Sequence, residues 1–210
     1  TVPVAVYYES LCPDSIQFFK TQLTPTWNEL SRFMDLTLVP FGKAKSNGQF
    51  NLTCHHGPEE CHGNKVQACA LVHIPNNSTK VKFISCVMEY MEGKNKMSAY
   101  PDKQCADTVG VTDYSTIRNC VDTQEGDNLM RSLENKTRDL GRADSLSVPT
   151  IVFNSMFNET AQMMSLTSFK SVLCGYIPGN DKLNECSGAL ANTATLTLAL
   201  VTALFARLSQ

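Results

Sequence analysis

Cys12 and Ser15 stand where a Cys-x-x-Cys redox motif would place its two sulfurs. The segment 12–15, Cys-Pro-Asp-Ser, follows an apolar, β-branched run over 2–8 and precedes apolar residues at helical spacing. A cysteine at a strand-to-helix turn lies on the first amides of the helix, whose dipole favours a thiolate. We therefore predict that Cys12 is the nucleophile of a thiol–disulfide exchange reaction. A hydroxyl cannot resolve a mixed disulfide, so this motif alone cannot complete a two-thiol cycle.

The neighbours of Cys12 have opposing effects on its sulfur. Pro13 fits the first turn of a helix. The carboxylate of Asp14 opposes ionisation of the thiol, whereas a hydrogen bond from the Ser15 hydroxyl would favour the thiolate. The sequence does not rank these two effects on the ionisation of Cys12.

Composition predicts one domain with an insertion rather than several domains. The chain has 210 residues, of which 42% are hydrophobic, so it can bury a sizeable core. We expect a domain over 1–186, with an insertion at about 42–140, and an apolar tail over 187–210. The net charge is −2 and basic runs are short, so no nucleic-acid partner is expected.

Cysteines and glycosylation sequons together favour the secretory pathway. The chain has nine cysteines, and Asn-x-Ser/Thr sequons begin at Asn51, Asn76, Asn77, Asn135 and Asn158. It opens directly at a strand and shows no signal peptide, as expected of a mature or trimmed product.

If Cys12 is free, eight cysteines remain for structural disulfides: Cys54, Cys61, Cys69, Cys86, Cys105, Cys120, Cys174 and Cys186. Pairings within 54–69 compete with pairings from that segment to the three cysteines that follow it. We expect Cys174 to pair with Cys186, because Pro178-Gly179 between them favours a turn.

The order of elements is that of a thioredoxin-like α/β fold with a helical, disulfide-rich insertion. Strands are predicted at 2–8, 36–39 and 147–153, with a further short run near Phe157 closing a hairpin. Helices are predicted at 15–33, 83–97, 114–121, 125–139 and 166–174, and a turn-rich piece at 100–105. The first two strands should pair in parallel, because a helical crossover joins them.

Pro149 at the entry to the last long strand fits a cis peptide bond. In this layout the residue before the proline lies beside the attacking sulfur, where its backbone can pair with a substrate chain. The alternative is an ordinary edge-strand proline. We predict the cis form, and we count Pro149 with Cys12 and Ser15 among the catalytic residues.

The segment 54–69 combines cysteines and histidines, and two interpretations are open for it. The residue types suit zinc, but the three cysteines lack the close paired spacing of common structural zinc sites. In an oxidising compartment disulfides are the more natural use of these cysteines. The sequence therefore predicts no metal site, and it shows no motif for a cofactor.

The same segment resembles the signature of the gamma-interferon-inducible lysosomal thiol reductase (GILT) family, Cys-Gln-His-Gly-x-x-Glu-Cys-x-x-Asn-x-x-x-x-Cys. His55 replaces the Gln of that signature. The matching residues are Cys54, His56, Gly57, Glu60, Cys61, Asn64 and Cys69. The resemblance extends over roughly 1–186 and implies a glycosylated thioredoxin-like protein that reduces disulfides at acidic pH in endosomes and lysosomes. Family enzymes carry Cys-x-x-Cys at the turn, and Ser15 departs from that pattern.

Two functions remain open on these grounds. The first is a GILT-like oxidoreductase with one active-site thiol, whose partners are disulfide-bearing protein substrates and an external small thiol. The second is a catalytically impaired GILT-like protein that binds a partner, for example in immunity or as a surface receptor. We expect either one to be secreted or to reside in the endosomal or lysosomal lumen. A disulfide-reduction assay with Ser15→Cys alongside separates the two.

The tail over 189–206 is apolar, contains threonines and carries no charge. Its length is near the lower limit for a membrane span, and small residues precede it as in a lipid-anchor signal. Membrane association through 189–206 and an apolar helix packed on the domain are both open.

Overall fold

The computed structural model of the chain describes residues 1–46, 51–93, 100–142, 146–179 and Cys186. Its strands are β1 (Val2–Tyr8), β2 (Met34–Pro40), β3 (Lys45–Ser46), β4 (Leu52–Thr53) and β5 (Thr150–Phe153). Its α-helices are α1 (Pro13–Phe18), α2 (Thr24–Leu30), α3 (Pro58–His73), α4 (Asn77–Tyr90), α5 (Asp102–Val109), α6 (Tyr114–Asp122), α7 (Gln124–Asp139) and α8 (Glu159–Tyr176). A π-helical turn (Phe19–Leu23) joins α1 to α2, and a 3-10 turn (Ser31–Phe33) follows α2. The helix predicted over 15–33 is thus one helical run.

The main sheet has β1 at its centre, with β2 and β5 on either side. β1 runs parallel to β2, with Val4 opposite Leu36, and antiparallel to β5, with Val6 opposite Ile151. The predicted parallel pairing of the first two strands is confirmed. A central strand that is covered on both faces explains why 2–8 is almost continuously apolar.

Both faces of β1 are buried by helices. Val4, Val6 and Tyr8 belong to the large core cluster, which also holds Phe19 from the helical run and Phe169 from α8. On the opposite face, Tyr7, Val39 and Val152 form a second cluster. It packs against Leu133 of α7 and Leu140, which directly follows that helix. Successive side chains of a strand point to opposite faces, so one strand supplies both layers. This packing holds the carboxyl end of β1, and with it the turn that carries Cys12, in a fixed place.

Disulfides cross-link the helical region between β2 and β5. Cys54, which precedes α3, pairs with Cys61 in the first turns of that helix. Cys69 links α3 to Cys120 of α6, and Cys86 links α4 to Cys105 of α5. Cys174 pairs with Cys186, as expected. All nine cysteines lie within the described residues, and Cys12 is the one that is free.

Two local predictions are wrong. After β5 the chain makes a tight turn at Asn154 and Ser155, both with positive φ, and the predicted hairpin is reduced to one bridge between Phe153 and Met156. The piece at 100–105 becomes helical from Asp102. The insertion expected to begin at about residue 42 contains the long helix α3, for which no helical pattern was seen in the sequence.

No helix in the described part of the chain is both long and apolar enough to cross a membrane. The tail over 189–206 lies outside the described residues.

Candidate active site

Cys12 caps the first helix directly after the central strand. It has extended backbone angles, Pro13 occupies the first helical position, and Ile16 N–H donates to the Cys12 carbonyl at 2.9 Å. The turn between β1 and α1 is closed by a hydrogen bond from Cys12 N–H to the carbonyl of Glu9, at 3.4 Å. The predicted strand–turn–helix context of this cysteine is therefore confirmed.

The sulfur of Cys12 lies against the strand that begins at Pro149. The Val148–Pro149 peptide bond is cis, and Cys12 Sγ is 3.8 Å from the Val148 carbonyl oxygen. Cys12 is only 5% exposed and packs with Leu146 and Val148. The structure thus brings Cys12 and the Val148–Pro149 segment together, as the sequence predicted, and places a backbone acceptor next to the sulfur.

Replacing Leu146 by alanine should expose the thiol. Leu146 is 9% exposed and packs in one buried cluster with Cys12 and Val148. We expect Leu146→Ala to raise the rate at which iodoacetamide alkylates Cys12 in the native protein several-fold, because truncation opens the contact. Mass spectrometry of the alkylated peptide measures the rate, and the denatured protein is the control. An unchanged rate would mean that reagents reach the sulfur from another side.

Ser15 contacts the turn between β1 and α1 from the buried side. It is fully buried, and its Oγ accepts a hydrogen bond from the Glu9 N–H at 3.5 Å. The hydrogen bonds of the described residues include none from Ser15 to the Cys12 sulfur, so the expected stabilisation of a thiolate by Ser15 is not seen. Residues three apart on a helix are neighbours, which puts the Ser15 side chain in the position that a resolving thiol would occupy.

The signature segment packs on the active-site turn. Asn64 Oδ1 accepts from Ser10 N–H at 2.9 Å, and the Ser10 hydroxyl donates to the carbonyl of Glu60 at 3.1 Å. Gly63 permits this approach, since a Cβ there would lie 2.5 Å from the Ser10 Oγ and 2.8 Å from the Tyr100 ring. Glu60, Gly63 and Asn64 share one face of α3 by their spacing. They therefore hold the backbone two residues before Cys12.

Two buried carboxylates lie between this turn and the start of α3. Glu60 Oε2 is 2.6 Å from Nδ1 of His56, and Glu60 Oε1 accepts from the His56 N–H at 3.1 Å. Glu9 Oε1 accepts from the Lys43 N–H at 2.7 Å. Burial raises the pKa of the Glu9 carboxyl, the hydrogen bond from Lys43 opposes this shift, and the charge of Glu60 adds to it. Among the described residues Glu9 Oε2 is buried and has no hydrogen-bond partner.

A groove of about 1150 Å³ begins beside Leu11, the neighbour of Cys12, and runs between α3, α5 and α6. Tyr114 donates to Asp102 at 2.6 Å on its wall. The charged side chains that line it are mostly acidic: Glu59, Asp102, Asp107, Asp113 and Asp122, against Lys103 and Arg118.

The cysteines of the signature segment are not zinc ligands here. Cys54, Cys61 and Cys69 are all in disulfides, which leaves them without a thiolate. Two other groups in the described residues have metal-ligand chemistry: Glu9 with His55 and His56, and His73 with Cys120 and Glu125. The second loses its sulfur to the Cys69–Cys120 bond, and His73 Nε2 pairs with Glu125 Oε1 at 2.8 Å.

Sequence reasoning missed the roles of Glu9 and Ser10. Both follow β1 directly and carry no motif of their own, so only their contacts with α3 reveal them. A charged residue at the end of a buried strand is the one signal that was available for Glu9.

The fold is that of thioredoxin-like thiol–disulfide oxidoreductases. The reduced form of the disulfide oxidoreductase DsbG from Mycobacterium tuberculosis is similar to it, with a TM-score of 0.56 and 14% identity. That match covers 90% of this chain and 85% of the solved chain.

Sequence comparison places the chain in one family within this fold. Residues 3–109 match the family described as Gamma interferon inducible lysosomal thiol reductase (GILT). A GILT-like protein from Anopheles gambiae, described as a "Gamma-interferon-inducible lysosomal thiol reductase-like protein", is 40% identical over 185 residues, covering 82% of this chain and 76% of the relative. "GILT-like protein 1" of Drosophila melanogaster is 37% identical over 223 residues, covering 99% and 86%. The chain belongs to the GILT family.

Proposed function

We propose that this chain is a thiol–disulfide oxidoreductase in which Cys12 is the single active-site thiol. The Cys12 thiolate attacks one sulfur of a substrate disulfide, which forms a mixed disulfide and releases the other substrate sulfur as a thiolate. An external thiol then attacks the substrate sulfur of the mixed disulfide and sets Cys12 free. A second external thiol completes the reduction, so two external thiols are oxidised to one disulfide in each turnover.

One observation carries this proposal. Cys12 is the free cysteine of the chain and lies against the carbonyl of Val148, the residue before the cis Pro149, while the other eight cysteines are in disulfides. Its place at the N-terminus of a helix favours the thiolate, and the Val148 carbonyl beside the sulfur offers a hydrogen bond to the main chain of a bound polypeptide.

The substrate class that fits this surface is a disulfide-bearing polypeptide. The groove beside Leu11 is large enough to take an extended peptide segment, and its acidic lining favours substrate segments that carry Lys or Arg. A small thiol acts as the second partner, because it can reach a mixed disulfide that protein side chains surround.

The site of action that we propose is the secretory pathway or the lysosomal lumen. Four disulfides are stable only in an oxidising compartment. The relative from Anopheles gambiae is described as lysosomal thiol reductase-like. The glycosylation proposed for the five sequon asparagines fits their exposure, since each lies at the surface: Asn51, Asn76, Asn77, Asn135 and Asn158.

Turnover should depend on external thiol. We expect the unaltered protein to reduce a disulfide-linked polypeptide slowly, with a rate that rises in proportion to added small thiol, because no second sulfur in the chain resolves the mixed disulfide. Without added thiol, intact mass spectrometry should detect a trapped adduct on Cys12. Rates are measured at acidic and neutral pH against the uncatalysed reaction. A rate that is independent of external thiol would contradict the single-thiol cycle.

A further inference from the structure

Glu9, His55 and His56 bring three ligand atoms together beside the active-site turn. Glu9 Oε2 is 3.6 Å from Nδ1 of His55 and 3.5 Å from Nδ1 of His56. In a tetrahedral zinc site with bonds of about 2.0–2.2 Å, neighbouring ligand atoms are separated by roughly 3.3–3.6 Å. The two distances from the carboxylate oxygen therefore match those of a formed site.

The carboxylate at the centre of this group lacks a partner. The side chain of Glu9 is 0% exposed, and its Oε2 is a buried acceptor without a hydrogen bond in the described part of the chain. A buried carboxylate oxygen without a donor is costly, because water no longer solvates it. Its two nearest ring nitrogens are too distant to donate to it but are well placed to share a cation with it.

The local charge also favours a divalent cation. Glu60, whose side chain is 1% exposed, lies on the other side of His56, so two buried carboxylates flank one imidazole. The charged or titratable groups that face Glu9 are Glu60, Lys43, His55 and His56. Negative charge dominates this pocket unless a cation enters it, and a doubly charged ion offsets both carboxylates.

We propose that Glu9 Oε2, His55 Nδ1 and His56 Nδ1 form a binding site for a divalent transition metal of the zinc class. Two imidazole nitrogens and one carboxylate oxygen are a ligand set that zinc accepts, with a fourth position open to water or to Glu60. A metal on His56 Nδ1 requires that nitrogen to carry no proton, so binding replaces the contact between Nδ1 and Glu60 and releases to solvent any proton held there. Glu60 Oε2, which lies 2.6 Å from the same nitrogen, is then placed to act as the fourth ligand.

The site would add a function to the signature segment that differs from thiol chemistry. His55 directly follows Cys54 of the Cys54–Cys61 disulfide, and Glu9 lies three residues before Cys12. A metal held by both would join the loop before α3 to the active-site turn. His55 stands where the GILT signature has Gln, so the third ligand is a feature of this chain rather than of the signature.

Calorimetric titration of the full chain with Zn²⁺ tests this proposal. The titration is done on the Cys12→Ser protein, so that no free thiol competes for the ion. We expect one Zn²⁺ per chain, and visible absorption typical of tetrahedral coordination when Co²⁺ replaces Zn²⁺. In the same background His55→Gln should weaken binding by more than about tenfold, since it removes a ligand. The side chain of His55 is 54% exposed, so this change should leave the fold intact.

Two further histidines provide matched controls. His62 lies on the exposed face of α3 outside the site, so His62→Gln should bind Zn²⁺ like the parent. His73→Gln tests the second group with metal-ligand chemistry and should also leave binding unchanged. The proposal is overturned if no stoichiometric binding occurs, if His55→Gln binds as tightly as the parent, or if His73→Gln abolishes binding. Glu9→Gln tests the buried ligand, and if it does not fold, the His55→Gln result decides.

Discussion

Replacing Ser15 by cysteine should raise disulfide reduction by roughly 10²-fold or more at low external thiol and remove its dependence on that thiol. The Ser15 side chain is fully buried one helical turn from Cys12, and its Oγ is held by the N–H of Glu9 rather than by Cys12. Cys12 is the N-cap of α1 and Ser15 lies in its first turn, so the two side chains are neighbours on one face of the helix. A thiol fixed there attacks the mixed disulfide at an effective concentration far above that of a small thiol in solution.

The control for this variant is Ser15→Ala. Alanine removes the hydroxyl that accepts from Glu9 but adds no sulfur, so its turnover should stay as thiol-dependent as that of the parent. The measurement is the rate of reduction of a disulfide-linked polypeptide as a function of external thiol, with circular dichroism to verify folding. If Ser15→Cys is folded and still inert, the loss of activity extends beyond one residue, and the second interpretation, a binding protein, becomes the better one.

Replacing Cys12 by serine should abolish both turnover and adduct formation. Every other cysteine is in a disulfide, so no second nucleophile of the same kind is available in the chain. Labelling of the native, unreduced protein with a thiol reagent should fall from one site to none, and reduction should fall to the uncatalysed rate. Serine at 12 is nearly isosteric, and the sulfur makes only a long contact with the Val148 carbonyl, so thermal stability should change little.

Two results would contradict this expectation. Residual labelling of the Cys12→Ser protein would show that one of the four disulfides is open in solution. Residual turnover without labelling would show that reduction does not pass through Cys12. Cys12→Ala serves as a second variant, because it removes the hydroxyl as a possible weak nucleophile.

The sequence predicted the parts of the fold in which hydrophobic pattern and topology agree. β1 is found over Val2–Tyr8 as expected, because a short apolar, β-branched run directly before a helix cap favours a buried strand. α7 is also close to its prediction, since one face of it is polar and the other apolar. The loops were harder: Asn154 and Ser155 adopt positive φ without glycine, and this tight turn replaced the expected hairpin.

Only those residues of the candidate site that belong to a local sequence motif could be predicted. Cys12 and Pro149 have local signals, a helix cap and an X-Pro bond, and the structure brings them together. α3 was missed because it is buried on several sides, so its sequence shows no amphipathic period, and polar residues such as Asn64 and Gln67 are buried in hydrogen bonds. Glu9 acquires its significance from residues about fifty positions later in the chain, which no local pattern can reveal.

A reductase that depends on external thiols must survive the reagents that drive it. The bond between Cys69 and Cys120 is protected, since both residues are 0% exposed and thiols reach it only if α3 and α6 separate. The bond between Cys54 and Cys61 is closer to solvent, because Cys61 is partly buried and Cys54 is 8% exposed, whereas the Cys86–Cys105 bond has one fully buried end at Cys105. It is therefore the cross-link most open to attack by a high thiol concentration, and its loss would free the loop that carries His55 and His56. Excess reductant should thus inactivate the protein locally, at the edge of its own active site, before it unfolds the domain.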